Sequence, residues 1–294
     1  MHGFDFVVAK DARHAVKLLA EHGPTARILA GGTDLLADLK SAPHAPGLVI
    51  DISRAVDIKI IEMTQRGLRI GAMLTHTEIM RSALIREHCP ALIDAAHTIG
   101  AVQTRNLGTL GGNLVTAVPS MDSGPTLMAL DAVVVIAGSA GDREMPLAGF
   151  FTGPRRTVLG PDELLTAVII PINSLGKPAH FLKSGLRKGQ ALALVNAAAS
   201  LWLDRENRIK EPRIALGAVA PVVMRANAAE QYLAGREPTP ETMAEAGRIA
   251  ADECKPISDF RASATYRRDL VAVLVKRALS HALACASGKT AVQA

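Results

Sequence analysis

Thr109-Leu110-Gly111-Gly112-Asn113-Leu114-Val115-Thr116-Ala117-Val118-Pro119-Ser120-Met121-Asp122-Ser123-Gly124-Pro125 is the stretch on which the reading of this chain turns. Paired glycines open it, and Asn113, Thr116, Ser120 and Asp122 then crowd polar groups between apolar segments. Without a Cβ, such a pair lets the backbone take φ > 0 and lets a ligand approach the main chain closely. Successive N–H groups in a turn of this kind form a concavity that holds an anion without any lysine. A second pair lies upstream in Ala30-Gly31-Gly32-Thr33-Asp34-Leu35, so two turns are available for the two ends of an extended dinucleotide. Neither turn is a Rossmann fingerprint, because no Gly-x-Gly-x-x-Gly follows a strand, and no Gly-Lys-Ser/Thr makes a Walker loop. From the residues alone, Gly31-Gly32 also reads as an ordinary turn. The later stretch also reads as a solvated loop in which Asp122 caps the helix starting at Pro125.

Outward from these motifs, the composition narrows the choices. With 294 residues, 49% of them hydrophobic, the chain has mass for two or three lobes and is not a disordered protein. Its 33 Lys and Arg are scattered among 28 Asp and Glu, and aromatic residues are 3% of the total. A nucleic-acid binder would cluster its basic residues and supply stacking platforms, so that class is set aside. Cys89, Cys254 and Cys285 are odd in number and far apart, without Cys-x-x-Cys. They make neither a disulfide framework nor an iron–sulfur ligand set, and read as buried free thiols in a reducing cytoplasm. The histidines show no metal-ligand spacing, so no metal site is expected. Met1 to Phe6 lacks a basic region followed by an apolar core, so no signal peptide is expected, and no apolar run is long enough to span a membrane.

Periodicity divides the chain into three lobes. In residues 1–55, strands are expected at Phe4 to Val8, Ala26 to Ala30 and Leu48 to Ile52. Asp11 caps a helix stopped by Gly23-Pro24, and Leu35 to Lys40 forms a short helix. In residues 56–176, Ile58 to Glu62 and Leu68 to Met73 flank Gln65-Arg66-Gly67 as a hairpin, and Thr75 with Glu78 makes a capping box. A helix follows Pro90 and ends at Gly100. Val102 to Gly108 reads as a functional loop, Pro125 to Asp131 as a helix, and Ala132 to Ile136 and Ala167 to Ile170 as strands. In residues 177–294, Ala179 to Leu186, Leu192 to Leu203 and Ile209 to Val219 read as a three-stranded antiparallel meander, turning at Asp204 to Asn207. Helices follow at Ala226 to Ala234, Glu241 to Glu253 and Ala264 to about Ala286, and the tail from Ser287 reads as frayed.

The two glycine motifs, with Arg105-Asn106-Leu107-Gly108 before the second, Pro119-x-x-Asp122 after it and then Asp131-Ala132, resemble the FAD-binding medium subunit of molybdenum hydroxylases. That family includes xanthine, carbon monoxide and nicotinate dehydrogenases, and the resemblance covers essentially the whole chain. It implies an α+β fold: a two-lobed FAD-binding domain of the vanillyl-alcohol-oxidase type, followed by a C-terminal domain with an antiparallel three-stranded sheet and a helical bundle. It implies one FAD on this chain. Leu29, Ala30, Gly31, Gly32, Thr33, Asp34 and Leu35 would wrap the pyrophosphate. Thr109, Leu110, Gly111, Gly112 and Asn113 would contact the cofactor through backbone N–H groups and side chains. Asp122 would accept a hydrogen bond from it, and Ile99, Leu165 and Lys183 match positions that line it. Some relatives carry an inserted four-cysteine cluster, and this chain lacks those cysteines.

The function implied is electron transfer in a cytoplasmic oxidoreductase. Molybdopterin would sit on a large subunit and two [2Fe-2S] clusters on a small one, in a dimer of heterotrimers. The external acceptor would be NAD, a quinone or dioxygen. No catalytic general base or nucleophile on this chain is required. Two further readings stay open on the residues: a self-sufficient FAD oxidoreductase using the third lobe, where Lys183, Arg187 and Lys188 are the polar groups on offer, and a flavin-free scaffold.

Overall fold

Among the described residues, three main sheets, each backed by helices, and a two-stranded ribbon make up the fold. The computed structural model describes residues 3–286, so the tail from Ser287 lies outside the described residues. The first sheet is built from β1 (Asp5–Val8), α1 (Ala12–His22), β2 (Ala26–Leu29), α2 (Leu35–Ser41) and β3 (Leu48–Asp51). Its strands are parallel in the order β1-β3-β2. Asp11 caps α1 by accepting from the amide of His14 at 2.7 Å, which fixes where the helix begins. Residues 30–34 leave the carboxyl end of β2, the edge at which parallel sheets present ligand-binding loops.

The second lobe runs through β4 (Ile61–Thr64), β5 (Gly67–Gly71) and six short helices. These are α3 (His76–Arg81), α4 (Ala83–His88), α5 (Ala91–Thr98), α6 (Val102–Leu107), α7 (Leu110–Thr116) and α8 (Ser123–Ala129). Five strands complete it: β6 (Val133–Gly138), β7 (Gly141–Pro146), β8 (Phe151–Gly153), β9 (Arg156–Thr157) and β10 (Glu163–Pro171). The main sheet is antiparallel in the order β4-β5-β10-β6-β7, with β8 and β9 forming a separate ribbon. β10 is buried along nearly its whole length, matching its central place. The capping box at Thr75 and Glu78 is present in both directions.

Two readings of this lobe are corrected. Val102–Leu107 is a helix, not a loop, although none of its residues is buried. Thr109 to Asn113 is not a left-handed turn: Thr109 is the N-cap of α7, and Gly111 and Gly112 lie inside that helix with ordinary negative φ. Of the four motif glycines, Gly32 alone has positive φ, at +73°.

The third lobe pairs β11 (Ala179–Gly185), β12 (Ala193–Leu203) and β13 (Ile209–Gly217) as the expected antiparallel meander. A two-residue β14 (Met224–Arg225) adds a fourth strand, so the sheet is four-stranded rather than three-stranded. α9 (Asn227–Leu233), α10 (Pro240–Glu253) and α11 (Ala264–Ala286) close over it around Val195, Leu201, Ile214, Val271 and Val275.

The lobes share apolar and ionic seams. Ala137 and Leu164 of the second sheet pack into the core of the first lobe beside Leu48 and Ile50. Asp131 at the end of α8 binds Arg213 at 2.8 Å and Arg225 at 3.0 Å, tying the second lobe to the third. Cys89 and Cys254 are buried free thiols, whereas Cys285, expected to be buried, is exposed.

Candidate functional site

Among the described residues, the first glycine motif forms the tightest crossing. A Cβ added at Gly31 would stand 1.9 Å from the carbonyl oxygen of Leu107, so only glycine lets this loop pass the end of α6. Among the described residues, the amides of Gly31, Gly32, Thr33 and Asp34 donate to no acceptor. Four successive unspent N–H groups at the end of a parallel strand make an anion-binding concavity.

The second motif works differently. Leu110 N–H donates to Leu74 O at 2.9 Å, Gly111 N–H to Ala72 O at 2.8 Å, and Asn113 N–H to Thr109 O at 3.0 Å. Gly112 N–H donates to the Thr109 hydroxyl at 3.0 Å. These amides are consumed within the chain, which corrects the expectation that they hold a ligand. Glycine is needed at 111 for packing: an added Cβ would lie 2.7 Å from the Cβ of Ala72 and 2.9 Å from its carbonyl oxygen. What α7 offers is side chains and the bare Cα surface of Gly112.

Between the two motifs lies a cavity of about 210 Å³. Ala30, Gly31, Gly32, Thr33, Asp34, Leu35, Ile99, Thr109, Gly111, Gly112, Asn113 and Leu165 of the expected site line it. Its apolar walls come from Ile28, Ile52, Met73, Val115, Leu159 and Leu164. No lysine or arginine is among the lining residues; the charged groups are the carboxylates of Asp34 and Glu163. A hydrogen bond from the Arg143 guanidinium holds the Glu163 carboxyl below its ordinary range.

The other expected site residues stand away from this wall. Leu29 is in the body of β2, with its side chain beneath Gly32. Leu110 is fully buried in the core of the second lobe. Asp122 and Lys183 pair with each other: Lys183 Nζ lies 2.5 Å from Asp122 Oδ2 and donates to Thr98 O at 3.1 Å. Asn196 Nδ2 donates to Asp122 Oδ1 at 2.8 Å. Asp122 makes no side-chain cap to α8, so the capping role fails. The pair sits one residue behind Ile99, through the carbonyl of Thr98, at the seam of the second and third lobes.

His76, which was not foreseen, and Thr116, foreseen only as a polar group of the second stretch, also line the cavity. His76 is 2% exposed, and its Nδ1 is buried with no hydrogen-bond partner. Burial, then the charge of Arg105, pushes its pKa down to about 4, so the ring is neutral. Nothing in the local sequence marks it, because a histidine in the first turn of a short helix carries no periodic signal.

A cleft between two lobes, with a backbone-amide cradle facing apolar walls, suits an extended dinucleotide carrying a flat ring. Residues 2–173 match the FAD binding domain in molybdopterin dehydrogenase, and residues 180–282 the CO dehydrogenase flavoprotein C-terminal domain. The chain belongs to this family of FAD-binding subunits of molybdenum hydroxylases. It is 33% identical to the xanthine dehydrogenase FAD-binding subunit of Escherichia coli O157:H7, over 97% of this chain and 99% of that one. It is 31% identical to the carbon monoxide dehydrogenase medium chain of Hydrogenophaga pseudoflava, over 96% and 97%. The fold superposes on the structure of carbon monoxide dehydrogenase from Hydrogenophaga pseudoflava lacking the Mo-pyranopterin moiety, with a TM-score of 0.92, 32% identity and 97% and 98% coverage. Quinoline 2-oxidoreductase from Pseudomonas putida 86 gives 0.90, 30% identity and 99% of both chains.

The residues present fit an FAD. The unspent amides at 31–34 suit a pyrophosphate, and the apolar walls suit a flavin or adenine ring.

Proposed function

We propose that this chain is the electron-transfer subunit of a cytoplasmic molybdenum-containing hydroxylase, taking electrons from [2Fe-2S] clusters of a small subunit and passing them to an external acceptor. The observation that carries it is the amide cradle at Gly31 to Asp34 facing apolar walls in a chain of this family. Bound FAD would supply the exchange between one-electron carriers and a two-electron acceptor such as NAD, a quinone or dioxygen. The chain's own work is positional. Gly31, Gly32, Thr33 and Asp34 would hold the pyrophosphate by their amides, and Thr109, Asn113 and Thr116 would supply side-chain polar groups. Ile99 and Leu165 would pack against the cofactor's rings. The Asp122–Lys183 pair would fix the third lobe against the cofactor's far end.

The lobes would divide at residues 55/56 and 176/177, a reading supported by the separate sheets on either side of each point, and the third lobe would cover one side of the flavin. Partners would be a molybdopterin-bearing large subunit and a two-cluster small subunit, in a dimer of heterotrimers. The self-sufficient reading loses support from the surface recess around Lys183, Arg187 and Lys188. No His, Cys or carboxylate is among its described lining residues, and Lys183 is committed to Asp122.

Anaerobic mixing of the purified, FAD-loaded chain with purines, aldehydes and N-heterocycles tests this. The flavin band near ~450 nm, where bound FAD absorbs, should stay unbleached until the iron–sulfur and molybdenum subunits are added. Bleaching by an organic substrate without partners would make the chain self-sufficient, and failure to retain any flavin would make it a scaffold.

A further inference from the structure

The Pro119-Ser120 step of the second motif takes no part in the cofactor cleft. It walls a separate cavity of about 420 Å³ at the seam of the second and third lobes, and no residue lines both cavities. The connection between α10 and α11, residues 254–263, supplies much of the rest of the wall. This connection is firmly tied. Asp259 accepts from the amides of Arg261 at 2.9 Å and Ala262 at 3.3 Å. Lys255 N–H donates to Val219 O at 3.0 Å, and Ala264 N–H to Ser258 Oγ at 2.9 Å. It nonetheless holds large apolar groups out in water. Ile257 and, from the start of β12, Leu192 line the cavity and are exposed. Phe260, at 94%, is the most exposed large apolar side chain among the described residues. Exposed apolar groups on an ordered loop suit a contact surface, because little ordering remains to be done on binding.

The charges narrow the choice of partner. Three lining cations, Lys255, Arg261 and Arg267, share one lining carboxylate, Asp259, which pairs with Arg261 at 2.6 Å and Arg267 at 2.9 Å. Lys255 has no ion pair among the described residues. The cavity therefore carries unanswered positive charge beside apolar surface, where an incoming carboxylate is held more strongly than in open water. A second copy meeting this face across a two-fold axis would set these cations against their own equivalents, which disfavours a self-contact.

Resting on the multi-subunit reading, we propose that this cavity and Phe260 form a docking surface for an extended segment of another subunit of the complex, an Asp or Glu flanked by apolar side chains. The carboxylate meets Lys255 and Arg261, and its apolar neighbours pack on Leu192, Ile257 and Phe260.

The test uses the full-length chain produced together with the iron–sulfur and molybdenum subunits. With a photo-reactive benzophenone amino acid in place of Phe260, mass spectrometry of the irradiated, digested complex should find a cross-link to one stretch of one partner subunit, carrying an acidic residue among apolar ones. Lys255→Glu should weaken association with that subunit at least about tenfold at moderate salt, since it sets like charges face to face. Its FAD-to-protein ratio and melting temperature should match the parent's, because Lys255 is exposed, unpaired and outside the cofactor cleft. Reversing the cross-linked carboxylate to Lys in the partner should restore association. Cross-links confined to this chain or to a second copy of it, a cross-linked stretch without an acidic residue, or parental association of Lys255→Glu would each overturn the proposal. An FAD-loaded parent chain that assembles with neither subunit would instead sink the multi-subunit reading, and this surface with it.

Discussion

Lys183→Met removes one half of the most enclosed ion pair between the second and third lobes. The side chains of Lys183 and Asp122 are 9% and 6% exposed, and with Lys183 gone the Asp122 carboxylate keeps the neutral donors Asn196 and Thr98 but no cation. Breaking a buried pair on one side costs about 3–5 kcal/mol, because the remaining charge is stranded away from water. At roughly 2–4 °C per kcal/mol for chains approaching this size, the melting temperature should fall by about 10 °C at neutral pH. The sign of its pH dependence follows from Asp122. Burial already pushes this carboxyl above its ordinary value, with Lys183 and then Asn196 pulling it back. Without Lys183 it rises further. A carboxyl with a folded pKa above its unfolded value binds more protons folded than unfolded, so stability falls as pH rises through that window, from about 4 upward. The deficit should be small near the low edge of the window and full above it. Asp122→Asn combined with Lys183→Met removes both charges and should recover most of the loss. Urea melts of parent, single and double variants at pH 5 and pH 8 decide the matter. A single variant within 1 kcal/mol of the parent, or a deficit equal at both pH values, would refute the reasoning.

Flavin-to-protein ratios on the same samples test the cofactor side: Asp122→Ala should lower FAD retention, and Asp122→Asn should lower it less, with equal retention in both arguing that the pair only joins lobes. Gly31→Ala should abolish FAD retention and depress expression, since its Cβ would overlap the Leu107 carbonyl. Gly32→Ala meets only the flexible ends of Leu29 and Leu36, so it should cost about 1 kcal/mol for its positive φ and weaken FAD without unfolding the chain; full occupancy in this variant would remove the cradle. Gly111→Ala should lose stability first, by about 1–3 kcal/mol as an overpacked contact, with flavin loss following the fold, as melting with and without FAD would reveal. Neither glycine motif contains a His or Cys, so acid precipitation should release the yellow colour into the supernatant, and a coloured pellet would indicate a covalent flavin.

The third lobe was readable because its strands are long, its central strand β12 is apolar and buried along most of its length, and Asp204 marks the turn: its carboxylate accepts from the amides of Glu206 and Arg208, both at 2.9 Å. β7 escaped because it is an edge strand, Gly-Asp-Arg-Glu-Met-Pro, whose exposed charges guard the sheet's open side and erase the alternation. α6 escaped because Val102 and Leu107 are its apolar residues and both face solvent, leaving no stripe to detect. In the site, Gly31 and Gly32 were readable as a turn, but Gly111 and Gly112 look identical in sequence and serve a different purpose. What separates them is Ala72, distant in the chain, which packs against Gly111 and takes up its amide, while Leu74 takes up that of Leu110 and Thr109 those of Gly112 and Asn113. His76 became visible only through burial.

A cradle made of amides has a consequence for handling the protein. Salt weakens attraction between separated, solvated charges over a screening length of about 8–10 Å at moderate ionic strength. It acts far less on N–H dipoles in direct contact with their acceptor. The lining of this cavity has no lysine or arginine for counterions to compete with, and its two carboxylates would oppose a phosphate rather than attract it. Raising ionic strength therefore damps that repulsion while leaving the amide contacts intact. Flavin should stay on the chain through concentrated-salt chromatography, and removing it should require unfolding the loop at Gly31 to Asp34 rather than washing.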